Sequence, residues 1–436
     1  MLATTVLAAG VLGAVLLKDR AGDRTTTPPP AASPSPDPVR TPLLAPAAAG
    51  GSALLGARVA AALRAALAHP ALKSGVALSV VDVETGRPVL EQRASRAVVP
   101  ASTAKVLTAL AALTVLPPDR QLTTKVVAGS GTDVVLVGGG DPTLRGPRTP
   151  GSGPRLQELA DQVKQSGHPV GRVVVDDTLF TGPRLGPGWK GGYVTGGDVS
   201  PVSALELSDS KSTDPALEAG RVLAKLLGVP TSTVVRQKAA VSGATIARVS
   251  SAAVPDLVEQ MLTTSDNDLA EALGRHLALA RRQPASFAGE AAAAAAAVAP
   301  LLQGIGISAG AVSLHDASGL SPLDRVRPGA LSRLLALAAR DERFGPVLSG
   351  LPVAGFDGTL SDRYRDAPTS IAAGQVRAKT GTLTGVSALA GLVRTKDGRL
   401  LAFDLTAEGL PEKGAGAAPR ALDAVAAALA GCGCGT

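Results

Sequence analysis

The chain has 436 residues, a formal net charge of +7, 45 % apolar residues and only 2 % aromatic ones. It is long enough for a large core plus a second module, and that core has to be built from Ala, Val and Leu. The basic residues are scattered, with Arg281-Arg282 the only adjacent pair. So little clustering, with so few aromatics for base stacking, argues against a nucleic-acid partner and leaves attraction to an anionic cell surface as the milder reading of the charge.

Residues 1–17, MLATTVLAAGVLGAVLL, are uncharged and apolar, and a Pro-rich stretch that includes TTTPPPAASPSPDPVRTP follows. An apolar start before an extended spacer predicts an export signal or membrane anchor (1–17), a linker (18–52) and a tethered ectodomain. Ala53–Ala68 then reads as a helix, and SGVALSVVDVETGRPVLEQR as a hairpin of two strands turning at Glu84–Arg87. Residues 98–116, VVPASTAKVLTALAALTVL, form a helix that is apolar on every face from Val106 onward, the pattern of a buried helix.

From 117 to about 255 the texture changes. Short β-like runs (DVVLVGGG, GRVVVDDTLF) alternate with Gly/Pro-rich loops, and DPALEAGRVLAKLLGV is a helix ending at Gly228. This stretch reads as an insert within a discontinuous domain formed by 53–116 and 256–430. Gly289–Leu302 is an Ala-rich helix. QVRAKTGTL, SALAGLVRT and RLLAFDLTAE are three strands, and a helix over Pro419–Ala430 closes the chain. Strand groups far apart in sequence, each beside apolar helices, predict an α+β fold with an antiparallel sheet flanked by helices. Cys432 and Cys434 are too close in sequence for an unstrained bridge, have no metal-ligand spacing around them, and read either as incidental or as a reactive tail.

The chemistry begins with Lys105, placed one turn after Ser102 on that apolar helix. Positions i and i+3 share a face. A lysine taken out of water loses proton affinity and becomes able to take the proton of a neighbouring serine at neutral pH. The same spacing recurs at Ser208-Asp209-Ser210-Lys211, but in a polar, turn-rich stretch where the lysine would be solvated. Two further stretches favour Ser102. Ser265-Asp266-Asn267 holds the only asparagine of the chain and opens a helix, with Ser265 expected as its N-cap. Lys379-Thr380-Gly381-Thr382 lies on a strand, where Lys379 and Gly381 face one side and Thr380 and Thr382 the other; Gly381 is read as admitting a substrate backbone. S-x-x-K, S-D-N and K-T-G occur in chain order, the combination known from class A β-lactamases and penicillin-binding proteins.

VGGGDPTL, VVVDDTLF, PVSALE, DASGLSPLDRV, LPVAGFDGTL and VRAKTGTLTGV extend the likeness. With the three motifs, the stretch from about 75 to 408 resembles the D-alanyl-D-alanine carboxypeptidase/endopeptidase family, the class C low-molecular-mass penicillin-binding proteins. The resemblance implies a penicillin-binding/serine β-lactamase-like fold with inserted β-rich domains between the first two motifs. It implies Ser102 as nucleophile, Lys105 as its base, and Ser265, Asn267 and Lys379 in proton transfer and substrate orientation. Thr380, Gly381 and Thr382 would bind substrate, the N–H groups of Ser102 and Thr382 would form the oxyanion hole, and Asp266 would point away and brace its turn. Implied partners are peptidoglycan stem peptides ending in D-Ala-D-Ala and β-lactams as acylating inhibitors, with the membrane met through the N-terminal segment. Neither a cofactor nor a metal is implied, and the location is the cell envelope. Trp189 and Tyr193 are read either as lining a side pocket or as local packing.

Three other readings compete. Gly306-Ile307-Ser308-Ala309-Gly310 matches a nucleophile elbow, but it follows a helix and precedes a strand, the inverse of what an elbow needs. A β-lactamase would need a deacylating base, and no Glu-x-x-x-Asn stretch supplies one. Against a cell-wall-binding or penicillin-sensing protein with dead chemistry stand the intact Ser102 and Lys105.

Overall fold

The computed structural model describes residues 52–73, 75–208, 210, 212–239, 243–411 and 416–434. Segment 1–17, linker residues 18–51 and Lys211 of the second Ser-x-x-Lys copy lie outside them. Ser52, assigned above to the linker, opens the first helix. Among the described residues no helix is long and apolar enough to cross a membrane.

Along the chain, α1 (Ser52–Leu67) precedes β1 (Val76–Asp82) and β2 (Pro88–Gln92). The predicted hairpin turn is closed by Asp82, whose carboxylate accepts from the Thr85 N–H at 2.8 Å. A 3-10 turn (Ala101–Thr103) leads into α2 (Ala104–Val115), every residue of which is buried from Ala104 to Ala112. The next stretch holds β3 (Gln121–Ala128), β4 (Asp133–Val137), α3 (Leu156–Gln165), β5 (Arg172–Asp176), the short α4 (Gly192–Thr195), α5 (Pro215–Leu227), β6 (Val235–Arg236) and β7 (Thr245–Ala253). These strands form one sheet in the order β6-β5-β4-β3-β7. It is mixed: β4, β5 and β6 are parallel, and the crossovers between them carry α3 and α5, as parallel neighbours require. Helix α3 adds to the sequence reading of this stretch. Its buried Leu156, Leu159, Ala160 and Val163 follow helical spacing.

Four helices follow: α6 (Val254–Thr264), α7 (Asn267–Ala280), α8 (Phe287–Gly304) and, after the two-residue strands β8 (Val312–Ser313) and β9 (Arg325–Val326), α9 (Pro328–Ala338). The short α10 (Gly345–Gly350) leads to β10 (Val376–Leu383), β11 (Val386–Arg394), β12 (Leu400–Glu408) and α11 (Ala417–Ala430). The second sheet, in the order β10-β11-β12-β1-β2, is antiparallel throughout. Its first and last sequence segments meet at β1–β12, where Val76 pairs with Ala407 and Asp82 with Leu401.

Each face of this sheet has its own core. Leu78, Val80, Leu389 and Phe403 pack with Val59 and Leu63 of α1 and Leu422 and Val425 of α11. Val81, Ala390, Leu392 and Ala402 join a larger core with α2, α6, α7, α8 and α9, including Val106, Leu110, Met261, Leu273, Ala297 and Leu334. Burying each Val or Leu stabilises the fold by about 1.5–3 kcal/mol, so many small contributions replace the missing aromatics. The architecture is α+β, as predicted. At the end of α11 the structure pairs Cys432 with Cys434, both buried, where the sequence suggested unpaired residues.

Candidate active site

The 3-10 turn before α2 sets the site. Ala101 sits at φ +49°, an uncommon conformation for a residue with a side chain, and the Thr103 hydroxyl donates to the Pro100 carbonyl at 2.7 Å. Two glycines press on this turn. A Cβ on Gly319, which has φ +79°, would lie 2.0 Å from the Ala101 carbonyl oxygen, and one on Gly381 would lie 2.9 Å from the Pro100 oxygen. Gly381 therefore makes room for the turn that carries Ser102, where the sequence suggested room for a substrate.

Ser102 is half-buried, and Lys105, one turn later, is fully buried. The Lys105 ammonium donates to three acceptors: Ser102 Oγ at 3.2 Å, Asn267 Oδ1 at 2.5 Å and the Ser318 carbonyl at 2.8 Å. Burial lowers its pKa from 10.5 to about 8, against the opposing pull of Asp316, Glu271, Asp266 and Asp268.

Asn267 comes from the first turn of α7, and here the predicted cap differs. Asp266 is the N-cap, accepting from the Leu269 N–H at 2.9 Å, while Ser265 ends α6 in the left-handed region at φ 60°. Ser265 is released from capping by this arrangement, and its hydroxyl accepts from the Lys379 ammonium at 2.8 Å. The Asp266 side chain braces the turn, as expected. Asn267 Nδ2 donates to the Asp198 carbonyl at 2.8 Å.

On β10, Lys379 and Gly381 are buried, whereas Thr380 and Thr382 border the cleft. The Lys379 ammonium also donates to the Thr380 carbonyl at 3.0 Å, and the Thr380 hydroxyl donates to Thr359 Oγ1 at 3.0 Å. Burial and the nearby Lys105 push the pKa of Lys379 well below its ordinary value. The cleft has a volume of about 380 Å³ and is lined by Ser102, Ser265, Asn267, Thr380, Thr382, Tyr193, Asp198, Leu320, Leu383 and Thr384. Neither lysine lines it. Each reaches it through a serine hydroxyl, Lys105 through Ser102 and Lys379 through Ser265.

Of the eight predicted positions, Ser102, Ser265, Asn267, Thr380 and Thr382 line one cleft, and Lys105, Lys379 and Gly381 lie buried directly behind it. Of the second Ser-x-x-Lys copy, Ser208 and Ser210 lie among the described residues: Ser208 is exposed, and Ser210 donates to the Glu218 carboxylate at 2.5 Å. Ser308 of the elbow-like stretch is exposed and caps a 3-10 turn through the Gly310 N–H. Trp189 packs edge-on against Phe287 and donates to Asp316 at 2.7 Å, so it takes the packing reading, while Tyr193 lines the cleft. Sequence reasoning missed the Ser318 carbonyl, Asp198, Leu320, Thr359 and Thr384. A main-chain acceptor leaves no side-chain signature; for Ser318 and Leu320 the only pointer was the stretch DASGLSPLDRV.

Comparison with known proteins agrees with this geometry. A family match to "D-Ala-D-Ala carboxypeptidase 3 (S13)" spans residues 59–213 and 209–429. The carboxypeptidase DacB of Mycolicibacterium smegmatis is 40 % identical over 398 residues, covering 86 % of this chain and 85 % of that protein. A carboxypeptidase of Mycobacterium tuberculosis is 36 % identical over 439 residues, covering 96 % and 92 %. In structure, penicillin-binding protein 4 of Haemophilus influenzae matches with a TM-score of 0.66 at 24 % identity, over 77 % of this chain and 91 % of that one, a likeness of fold. The chain belongs to the D-Ala-D-Ala carboxypeptidase 3 (S13) family of serine peptidases.

Proposed function

We propose that the chain removes the terminal D-Ala from peptidoglycan stem peptides ending in D-Ala-D-Ala, through an acyl-enzyme on Ser102. The observation that carries this reading is the coordination of Lys105. Two of its three hydrogen-bonding directions are taken by fixed acceptors, Asn267 Oδ1 and the Ser318 carbonyl. A neutral amine there spends its two hydrogens on these acceptors and turns its lone pair to the Ser102 hydroxyl.

Ser102 Oγ attacks the carbonyl carbon of the penultimate D-Ala as its proton passes to Lys105 Nζ. The carbonyl oxygen becomes the oxyanion, received by the N–H groups of Ser102 and Thr382, each such donor being worth about 3 kcal/mol. The C–N bond then breaks, and the proton held by Lys105 is relayed by the Ser265–Lys379 pair to the departing D-Ala amine, leaving Lys105 free to take one from the incoming water. Water adds to the ester, and Ser102 regains its proton. Thr380 and Thr382 on β10 receive the substrate's backbone and terminal carboxylate, with Gly381 between them seating the turn that carries Ser102.

The same chemistry on a β-lactam opens the ring onto Ser102 and leaves a slowly hydrolysed ester. On cross-linked stem peptides it is an endopeptidase activity. Such substrates place the enzyme outside the cytoplasm, with residues 1–17 as signal or anchor. We further assign 117–255 as an insert, supported by the separate sheet β6-β5-β4-β3-β7. The test is D-Ala release from a pentapeptide stem by purified ectodomain. Release that depends on Ser102 is expected. Intact penicillin labelling without release would favour a penicillin sensor.

A further inference from the structure

Below the cleft, residues 316–321 form a loop whose backbone is held almost atom by atom. Glu271, fully buried one turn after Asn267 on α7, accepts the Ser318 N–H at 2.9 Å and the Ala317 N–H at 3.3 Å. The Thr108 hydroxyl donates to the Ala317 carbonyl at 2.6 Å. Asp316 accepts the Gly319 N–H at 2.7 Å and the Ser321 N–H at 2.6 Å. With its neighbours tied down, the Ser318 carbonyl has one direction, toward Lys105 Nζ at 2.8 Å. Positions 267 and 271 share a helix face, so α7 supports the same ammonium twice, directly through Asn267 and at one remove through Glu271.

We infer that Glu271 is a positioning residue for Lys105: its carboxylate fixes the Ser318 carbonyl as the acceptor that keeps the lysine's remaining direction on Ser102. This rests on the proposed roles of Ser102 and Lys105. No substrate atom reaches Glu271, which is fully buried.

The charge of Glu271 has a second effect. Lys105 is faced by Asp316, Glu271, Asp266 and Asp268, whose charges favour the ammonium, and its own charge lowers the proton affinity of the neighbouring Lys379. Glu271 is faced by Asp316, by Glu290 and by Arg275, which is paired with Glu290 at 2.8 Å. Burial raises the pKa of Glu271 to about 7, so near pH 8 it is largely ionised and holds the proton affinity of Lys105 up. Removing that charge makes Lys105 a free base at lower pH.

The experiment is the rate of Ser102 acylation by a fluorescent penicillin from pH 5.5 to 9.5, for wild type, Glu271→Gln and Glu271→Ala. In Glu271→Gln the amide oxygen still accepts from Ser318. The rise of rate with pH should shift down by about half a unit to one unit, with the plateau within about threefold of wild type. Glu271→Ala should shift likewise and lose about tenfold at the plateau as the carbonyl is released. A purely structural role would lower the active fraction without moving the midpoint. A wild-type midpoint in Glu271→Gln overturns the inference, and this variant decides if Glu271→Ala does not fold. Absence of Ser102-dependent labelling in wild type would instead overturn the reading on which it rests.

Discussion

Gly381→Ala tests how the strand and the nucleophile turn are fitted together. The added Cβ would lie 2.9 Å from the Pro100 oxygen, 3.2 Å from Ala101 Cβ and 3.2 Å from Ala388 Cβ, where ordinary contact begins at 3.4 Å. Strand β10 and the turn carrying Ser102 must therefore part by about half an ångström. Such overpacking costs about 1–3 kcal/mol of stability. Because a misplacement of about 1 Å can cost about a hundredfold in rate, half of that should slow acylation about tenfold. The assay pairs thermal unfolding with the second-order rate of fluorescent-penicillin labelling. Gly319→Ala provides the graded comparison. Its Cβ would lie 2.0 Å from the Ala101 oxygen at a φ of +79°, so the loss should exceed that of Gly381→Ala in both measurements. Wild-type acylation in Gly381→Ala would refute the idea that this glycine sets the position of Ser102.

With Lys105 near pKa 8, its neutral fraction rises about tenfold between pH 6 and pH 7; acylation should rise with it and level off above about pH 8, whereas a rate flat over that range would contradict a lysine base. Asp404, fully buried on β12, has its pKa raised from 3.8 to about 7 by burial. A raised folded-state value means that stability present below pH 3.8 is lost as pH climbs to about 7, a change of about 4 kcal/mol. Asp404→Asn keeps the acceptor for the Thr406 hydroxyl, so denaturant titrations should find its stability relative to wild type growing across that window. Asp82 and Arg399 form a buried pair at 2.6 Å; Asp82→Ala should cost about 3–5 kcal/mol in chemical denaturation while folded protein acylates at the wild-type rate.

What could be read in the sequence was local chemistry. Ser102 with Lys105, Asn267, and Lys379 through Thr382 each carry reactive or polar groups in short stretches, and the apolar surroundings of Lys105 made its burial legible. The terminal strand groups announced the antiparallel sheet through their apolar runs. Contacts made by main-chain atoms were silent, above all the Ser318 carbonyl, because any residue type can supply them. Glu271 carried no sign in the sequence, because its role exists only where the fold brings residues 316–321 over it. Ser265 illustrates a competition: serine is a good N-cap, but Asp266 is an equally good one. The left-handed turn at Ser265 gives the cap to the aspartate and leaves the hydroxyl for Lys379. Gly381 was read from the substrate's side, whereas the space it leaves is filled by Pro100.

The central claim is that Ser102 is the atom that becomes acylated, and intact-protein mass spectrometry after penicillin exposure tests it most directly. Wild type should gain the mass of one penicillin on the peptide containing Ser102, and folded Ser102→Ala should gain none. An adduct that persists in Ser102→Ala, or that maps to another residue, would contradict the account.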